Sequence, residues 1–125
     1  MTTIDWALAY KQIRVSKDDV WQQGFRWLGK TFYETCLVFS SASSAGLFDR
    51  HAKEVLHIVL VKSGISRRCV VQHLDDVCSA SPSGTGRALR FYNTFKNVSD
   101  LLGVKLAPPG TGTKNLDPLN KVLYL

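Results

Sequence analysis

The run Val70-Val71-Gln72-His73-Leu74-Asp75-Asp76-Val77-Cys78 constrains this chain more than any other stretch. β-Branched residues on both sides favour extended strands, and the Leu-Asp-Asp break between them favours a tight turn. A hairpin here carries Asp75 and Asp76 at its tip, where each carboxylate repels the other. A cation held between them relieves that repulsion, so a rigid turn of this kind suits a hard, oxygen-seeking ion such as Mg²⁺. Asp-Asp is also a common solvated surface turn, and the hairpin by itself leaves both readings open.

The rest of the chain reads around this hairpin. Thr2-Thr3-Ile4 has the character of a strand arriving at Asp5, followed by a compact turn or short helix over Trp6-Ala7-Leu8-Ala9-Tyr10. Gln12-Ile13-Arg14-Val15 alternates as a half-buried strand does. Ser16-Lys17-Asp18-Asp19 reads as a polar turn in which Ser16 caps a helical turn, its second carboxylate pair solvated. Two aromatic-rich runs, Gln23 to Trp27 and Thr31 to Cys36, are joined by Leu28-Gly29-Lys30 as a hairpin. After the small-residue segment Ser40 to Gly46, apolar residues recur at Ala45, Phe48, Ala52, Val55, Leu56, Val59 and Leu60, which predicts an amphipathic helix ending near Gly64.

Beyond the central hairpin, Ser81 to Gly86 is a loop. A second helical pattern runs from Ala88 through Phe91, Phe95 and Val98 to Leu102 and closes at Gly103. Val104-Lys105-Leu106 reads as a short strand, Ala107 to Thr113 as an exposed loop, and Lys121 to Leu125 as strand-like. Two amphipathic helices can cover one face of an antiparallel sheet and leave the other open. The expected fold is therefore α+β, a single domain over residues 1–125 with both helices on one face and Asp5 beside the Asp75–Asp76 tip on the other.

Composition narrows the function classes. The 125 residues suffice for one core, and a hydrophobic content of 45% fits a globular, soluble protein. No apolar run is long enough for a bilayer, and no secretory leader is evident at the N-terminus. Cys36, Cys69 and Cys78 lack the close pairing of a zinc site or a disulfide framework. Cys36 and Cys69 read as core thiols, in an intracellular, reducing compartment. A net charge of +6 favours an anionic partner, nucleic acid ahead of a membrane surface.

Three carboxylates converging from separate strand ends suit phosphoryl transfer, in which two divalent ions about 4 Å apart serve the attacking and leaving oxygens. Here the chain resembles the palm domain of a reverse transcriptase, with matching pieces in the family's order. Ile4-Asp5-Trp6-Ala7-Leu8-Ala9-Tyr10 with Ile13-Arg14-Val15 resembles the first catalytic motif. Gly24-Phe25-Arg26-Trp27 with Gly29-Lys30 resembles the hairpin after it. Leu37-Val38-Phe39-Ser40, then Ser43-Ser44-Ala45 and Phe48, resembles the nucleotide-side motif, and His73-Leu74-Asp75-Asp76 resembles the Tyr-x-Asp-Asp box. Leu102-Gly103 through Leu106-Ala107-Pro108-Pro109, Lys114 and Val122 to Leu125 resembles the last palm motifs. The Ala-Pro-Pro-Gly-Thr-Gly stretch is most similar to retrotransposons of the DIRS type, which integrate with a tyrosine recombinase.

The resemblance implies an RNA-directed DNA polymerase using Mg²⁺ or Mn²⁺, two ions, with Asp5 and Asp75 as principal ligands, Asp76 beside them and the Trp6 carbonyl as a further ligand. It places Tyr10 under the sugar of the incoming deoxynucleoside triphosphate, Phe39 and Ser40 against that nucleotide, and Lys114 near its phosphates. A template of RNA or DNA with a DNA primer is the implied partner. Four positions depart from the pattern: His73 stands for Tyr, Val38 for Pro, Ser40 for Gly and Ala45 for Pro. Fingers and thumb segments are expected to be absent from the chain, which is then not expected to extend a primer alone. Two other readings stay open: a non-catalytic module holding RNA on an open aromatic sheet, and an inert remnant of a retroelement.

Overall fold

A computed structural model describes residues 1–39 and 41–108. The expected final strand at Lys121 to Leu125, most of the Ala107 to Thr113 loop, Ser40 and Lys114 lie outside the described residues. The fold is α+β, with antiparallel sheets and two helices.

Among the described residues five strands form: β1 (Thr2–Asp5), β2 (Gly24–Trp27), β3 (Lys30–Tyr33), β4 (Val70–His73) and β5 (Asp76–Ser79). The helices are α1 (Ser44–Ser63), between β3 and β4, and α2 (Arg87–Leu102), after β5. One sheet has the order β1-β5-β4, antiparallel throughout, and β2 pairs with β3 in a separate ribbon.

The period-2 alternation of the three-stranded sheet divides its residues cleanly. Ile4, Val77 and Val70 point to one side and are buried there with Phe48, Val55, Leu56 and Val59 of α1 and Phe91, Phe95 and Val98 of α2. Both helices thus cover the same face, each on its apolar stripe. Each ends on a left-handed glycine, where a Cβ would be strained. Gly64 (φ 64°) donates its N–H to the Leu60 carbonyl at 3.0 Å. Gly103 (φ 74°) is followed by a Val104 N–H bond to the Ser99 carbonyl at 2.8 Å, the longer loop of a Schellman closure.

Local details differ from the sequence reading. The ribbon turn contains only Leu28 and Gly29, both at positive φ (48° and 74°), and Lys30 is already paired with Trp27. Two left-handed residues make the turn whose twist matches paired strands, and that excludes Lys30 from it. Gln12 belongs not to a strand but to a 3-10 turn, Ala9–Gln12. The extended segment begins after it, with Val15 donating to Thr35 at 3.0 Å and Leu37 to Ile13 at 2.9 Å. Ser16 closes a serine turn, its hydroxyl accepting from the Asp18 N–H at 3.3 Å, ahead of a 3-10 turn at Val20–Gln23. Cys36 and Cys69 are both half-buried; Cys69 packs against the core, and Cys36 is not part of it. Cys69 ends the 3-10 turn Arg67–Cys69, before β4 enters the sheet, and Cys36 sits at a lone bridge to Arg14.

Candidate active site

The face of the sheet that the helices do not cover carries the candidate site. Residues alternate with Ile4, Val77 and Val70, so Thr3 and Asp5, Cys78 and Asp76, and Val71 and His73 share this face. The register makes two rows of them. Thr3, Cys78 and Val71 form one, and Asp5, Asp76 and His73 the other. A groove of about 440 Å³ runs along this face, lined by Thr3, Val71, Cys78, His73 and Asp76 among others.

The register decides which acid faces Asp5: it is Asp76, its direct cross-strand partner. On its other edge Asp5 is bonded elsewhere, its carbonyl accepting from the Ala107 N–H at 2.9 Å. Asp5 and Asp76 are then opposed across a position not bridged by their own ladder bonds, where Cα atoms come within about 4.5 Å and side chains are closest. Like charges so placed repel and destabilise the pair. A bound cation reverses the sign of that interaction.

Asp75 occupies the turn itself, with Leu74. Leu74 has φ 50°, a left-handed backbone in a residue with a side chain, which costs about 1–3 kcal/mol. Its side chain packs against the core cluster, and the Gln72 amide donates to its carbonyl at 3.4 Å. These contacts hold the turn in a conformation that keeps the two acids at the end of the sheet.

Trp6, next to Asp5, is buried, with its ring edge-on to Phe48 at 5.3 Å and to His51 at 6.0 Å. Trp6 bridges Leu106, with the Asp5 carbonyl and the Ala7 N–H (2.9 Å to the Lys105 carbonyl) bonding outward on either side. Carbonyls alternate in direction along an extended strand, which turns the Trp6 carbonyl to the edge that carries Asp76.

Tyr10 and Phe39 come together as well. Tyr10 stacks on buried Phe48 with centroids 5.1 Å apart, and Phe39 meets Tyr10 edge-on at 5.3 Å. Phe39 is 85% exposed, so it is no core aromatic. A connected tier of rings, Phe39, Tyr10, Phe48 and Trp6, leads from solvent to the residue beside Asp5.

Sequence reasoning missed Gln12. Its amide nitrogen donates to the carbonyls of Ala7 (2.5 Å) and Lys105 (2.8 Å), and its oxygen accepts from the Lys105 N–H at 2.7 Å. One side chain imitates a strand, fastening residues 104–107 along the end of β1. A glutamine in an alternating run gives no sign of this, because its partner lies 93 residues away.

Among the described residues, no three His, Cys, Asp or Glu side chains are grouped closely enough to enclose a metal ion. A pair of hard carboxylate oxygens still fits Mg²⁺, which takes one or two carboxylates and completes its shell with water and substrate phosphate. The described helices include none long and apolar enough to cross a membrane.

No family model and no curated protein matches this chain. Solved structures do. A foamy viral protease-reverse transcriptase in complex with double-stranded DNA superposes with a TM-score of 0.71 at 19% identity, covering 85% of this chain and 17% of that one. The foamy viral enzyme in complex with an RNA/DNA hybrid gives 0.66 at 22% identity, covering 85% and 13%. The native prototype foamy virus enzyme gives 0.60 at 20% identity, covering 85% and 13%. The chain therefore spans under a fifth of the length of these proteins, and what it shares with them is a reverse-transcriptase-like fold.

Proposed function

We propose that this chain is the palm of an RNA-directed DNA polymerase from a retroelement of the DIRS type, joining deoxynucleotides to a primer 3′-OH. The observation that carries the reading is the direct opposition of Asp5 and Asp76 on the uncovered face, with Asp75 on the adjoining turn. In this reading Asp5, Asp75, Asp76 and the Trp6 carbonyl hold two Mg²⁺ or Mn²⁺ ions. Such ions supply activation of the attacking oxygen and neutralisation of charge at the leaving phosphate. The tier of Tyr10 and Phe39 gives the sugar of a deoxynucleoside triphosphate a wall beside Asp5, with Tyr10 excluding a 2′-hydroxyl by bulk. Ser40 and Lys114 complete the nucleotide side.

The partners are a template of RNA or DNA and a DNA primer, inside the cell. The nucleic-acid complexes among the structural neighbours and the net charge of +6 support this. Residues 1–125 alone do not extend a primer, because positioning template and primer takes fingers and thumb segments beyond a palm. Calorimetric titration of Mn²⁺ into the wild type and into Asp75→Asn/Asp76→Asn tests the metal site. Binding by the wild type and its loss in the double variant is the expected result; equal binding by both, or none by either, rejects it.

A further inference from the structure

Six of the thirteen exposed large hydrophobic side chains among the described residues, Trp21, Phe25, Trp27, Leu28, Phe32 and Tyr33, lie in one stretch of sequence. Five of them belong to the β2–β3 ribbon or its turn. All eight strand residues of the ribbon are exposed, so neither of its faces packs on the core. Each exposed aromatic forgoes part of its burial, and a contiguous patch of this kind marks a contact surface.

The register shows what the ribbon offers a partner. Phe25 opposes Phe32 and Trp27 opposes Lys30, which places three flat rings and an ammonium group on one face. The Phe25 and Phe32 rings lie nearly parallel, 22° apart in plane and 5.6 Å between centroids. Arg26 opposes Thr31 on the other face, next to the Gly24–Tyr33 pair. From Gly24 to Tyr33 there are two cations and no carboxylate. The nearest acid along the chain, Glu34, is paired with Lys11 at 2.6 Å.

Exposed rings interleaved with uncompensated cations are complementary to a polyanion that presents flat aromatic groups. A single strand of nucleic acid has that chemistry: bases stack on aromatic side chains whatever their sequence, and phosphates take the cations. An apolar protein surface would match the rings but leave Lys30 without a counter-charge.

We propose that the β2–β3 ribbon is a binding platform for single-stranded nucleic acid, with Phe25, Phe32 and Trp27 stacking on bases and Lys30, on the same face, holding a phosphate. The platform is separate from the carboxylate site and needs no metal, so either can fail without the other.

Fluorescence anisotropy with a labelled oligodeoxythymidylate of about 12 nucleotides, in EDTA, tests it. The wild type binds. Trp27→Ala and the double variant Phe25→Ala/Phe32→Ala each weaken binding about 5- to 100-fold, while Trp27→Phe retains most of it. Lys30→Gln flattens the dependence of log K on log salt by about 0.7, whereas Arg26→Gln, on the opposite face, leaves it nearly unchanged. Lys62→Gln, at the exposed end of α1, leaves that dependence and the affinity nearly unchanged. Circular dichroism shows wild-type helix content for all variants, since none of the substituted residues lies in the core. No binding by the wild type overturns the proposal. So does wild-type affinity in both aromatic variants, including the case in which they alter only self-association and so mark a protein contact.

Discussion

Leu74 and Gln12 show how much of the candidate site depends on single side chains. Leu74 is tolerated at φ 50° because its unbranched Cβ clears the backbone while the rest of the side chain reaches the core. A β-branched residue crowds that same carbon, so Leu74→Val is expected to lose about 1–3 kcal/mol in urea denaturation, whereas Leu74→Asn recovers backbone comfort and loses only packing. The break in the pattern at Leu-Asp-Asp announced a turn. It did not announce that a leucine, and no glycine, takes the left-handed position. Gln12→Ala removes three hydrogen bonds and should cost about 1–3 kcal/mol, with amide exchange accelerated at Lys105. Unchanged exchange at Lys105 would show that the clamp does not hold residues 104–107. Glu34 supplies a pH-dependent case. Its hydrogen bond and ion pair with Lys11 hold its carboxyl below the ordinary value of 4.5. The contribution to stability is therefore present above that ordinary value and lost as pH falls through the lower folded one. NMR titration should find the Glu34 pKa raised towards the ordinary value in Lys11→Gln.

The elements differ in how openly the sequence declared them. Both helices were legible because burial on one stripe imposes a 3.6-residue recurrence. Phe48, Ala52, Val55, Leu56 and Val59 of α1 are all buried, and the helix begins one residue before the first residue of the pattern. The glycine stops were legible for an equally local reason. The strands of the two hairpins, β2 with β3 and β4 with β5, declared their partners at their turns, whereas the register of β1 on β5 was not legible locally. Gln12 to Val15 carried a strand's alternation, yet its first residue joins a 3-10 turn because the carboxamide has work 93 residues away. Within one element or motif, position decides energetics. Phe48, fully buried between Trp6 and Tyr10, should cost about 3–5 kcal/mol on truncation to alanine. Phe39→Ala, at the exposed end of the same tier, should stay within about 0.5 kcal/mol in thermal or urea unfolding.

For the whole molecule, the decisive fact is a two-sided sheet, one face closed by α1 and α2 and the other open beside a row of Asp5, Asp76 and His73. The α+β layer and the convergence of Asp5 with the hairpin tip followed from pattern alone. Which of the two tip acids faces Asp5 did not, because a one-residue change of register between strands about 70 positions apart leaves no trace in local sequence. Asp18 and Asp19 form a second acidic pair that composition cannot tell from the first; Asp19 instead accepts from the Gln22 amide at 3.0 Å, in an exposed turn. In the proposed reading the opposed acids of the open face, and not acidity in general, hold divalent metal. Paramagnetic broadening of assigned backbone NMR signals by substoichiometric Mn²⁺ tests this most directly. The expected result is early loss of the signals of Asp5, Trp6, Asp75 and Asp76, with Asp5→Asn sparing the hairpin. Broadening centred on Asp18 and Asp19, or the same pattern in Asp5→Asn as in the wild type, would contradict it.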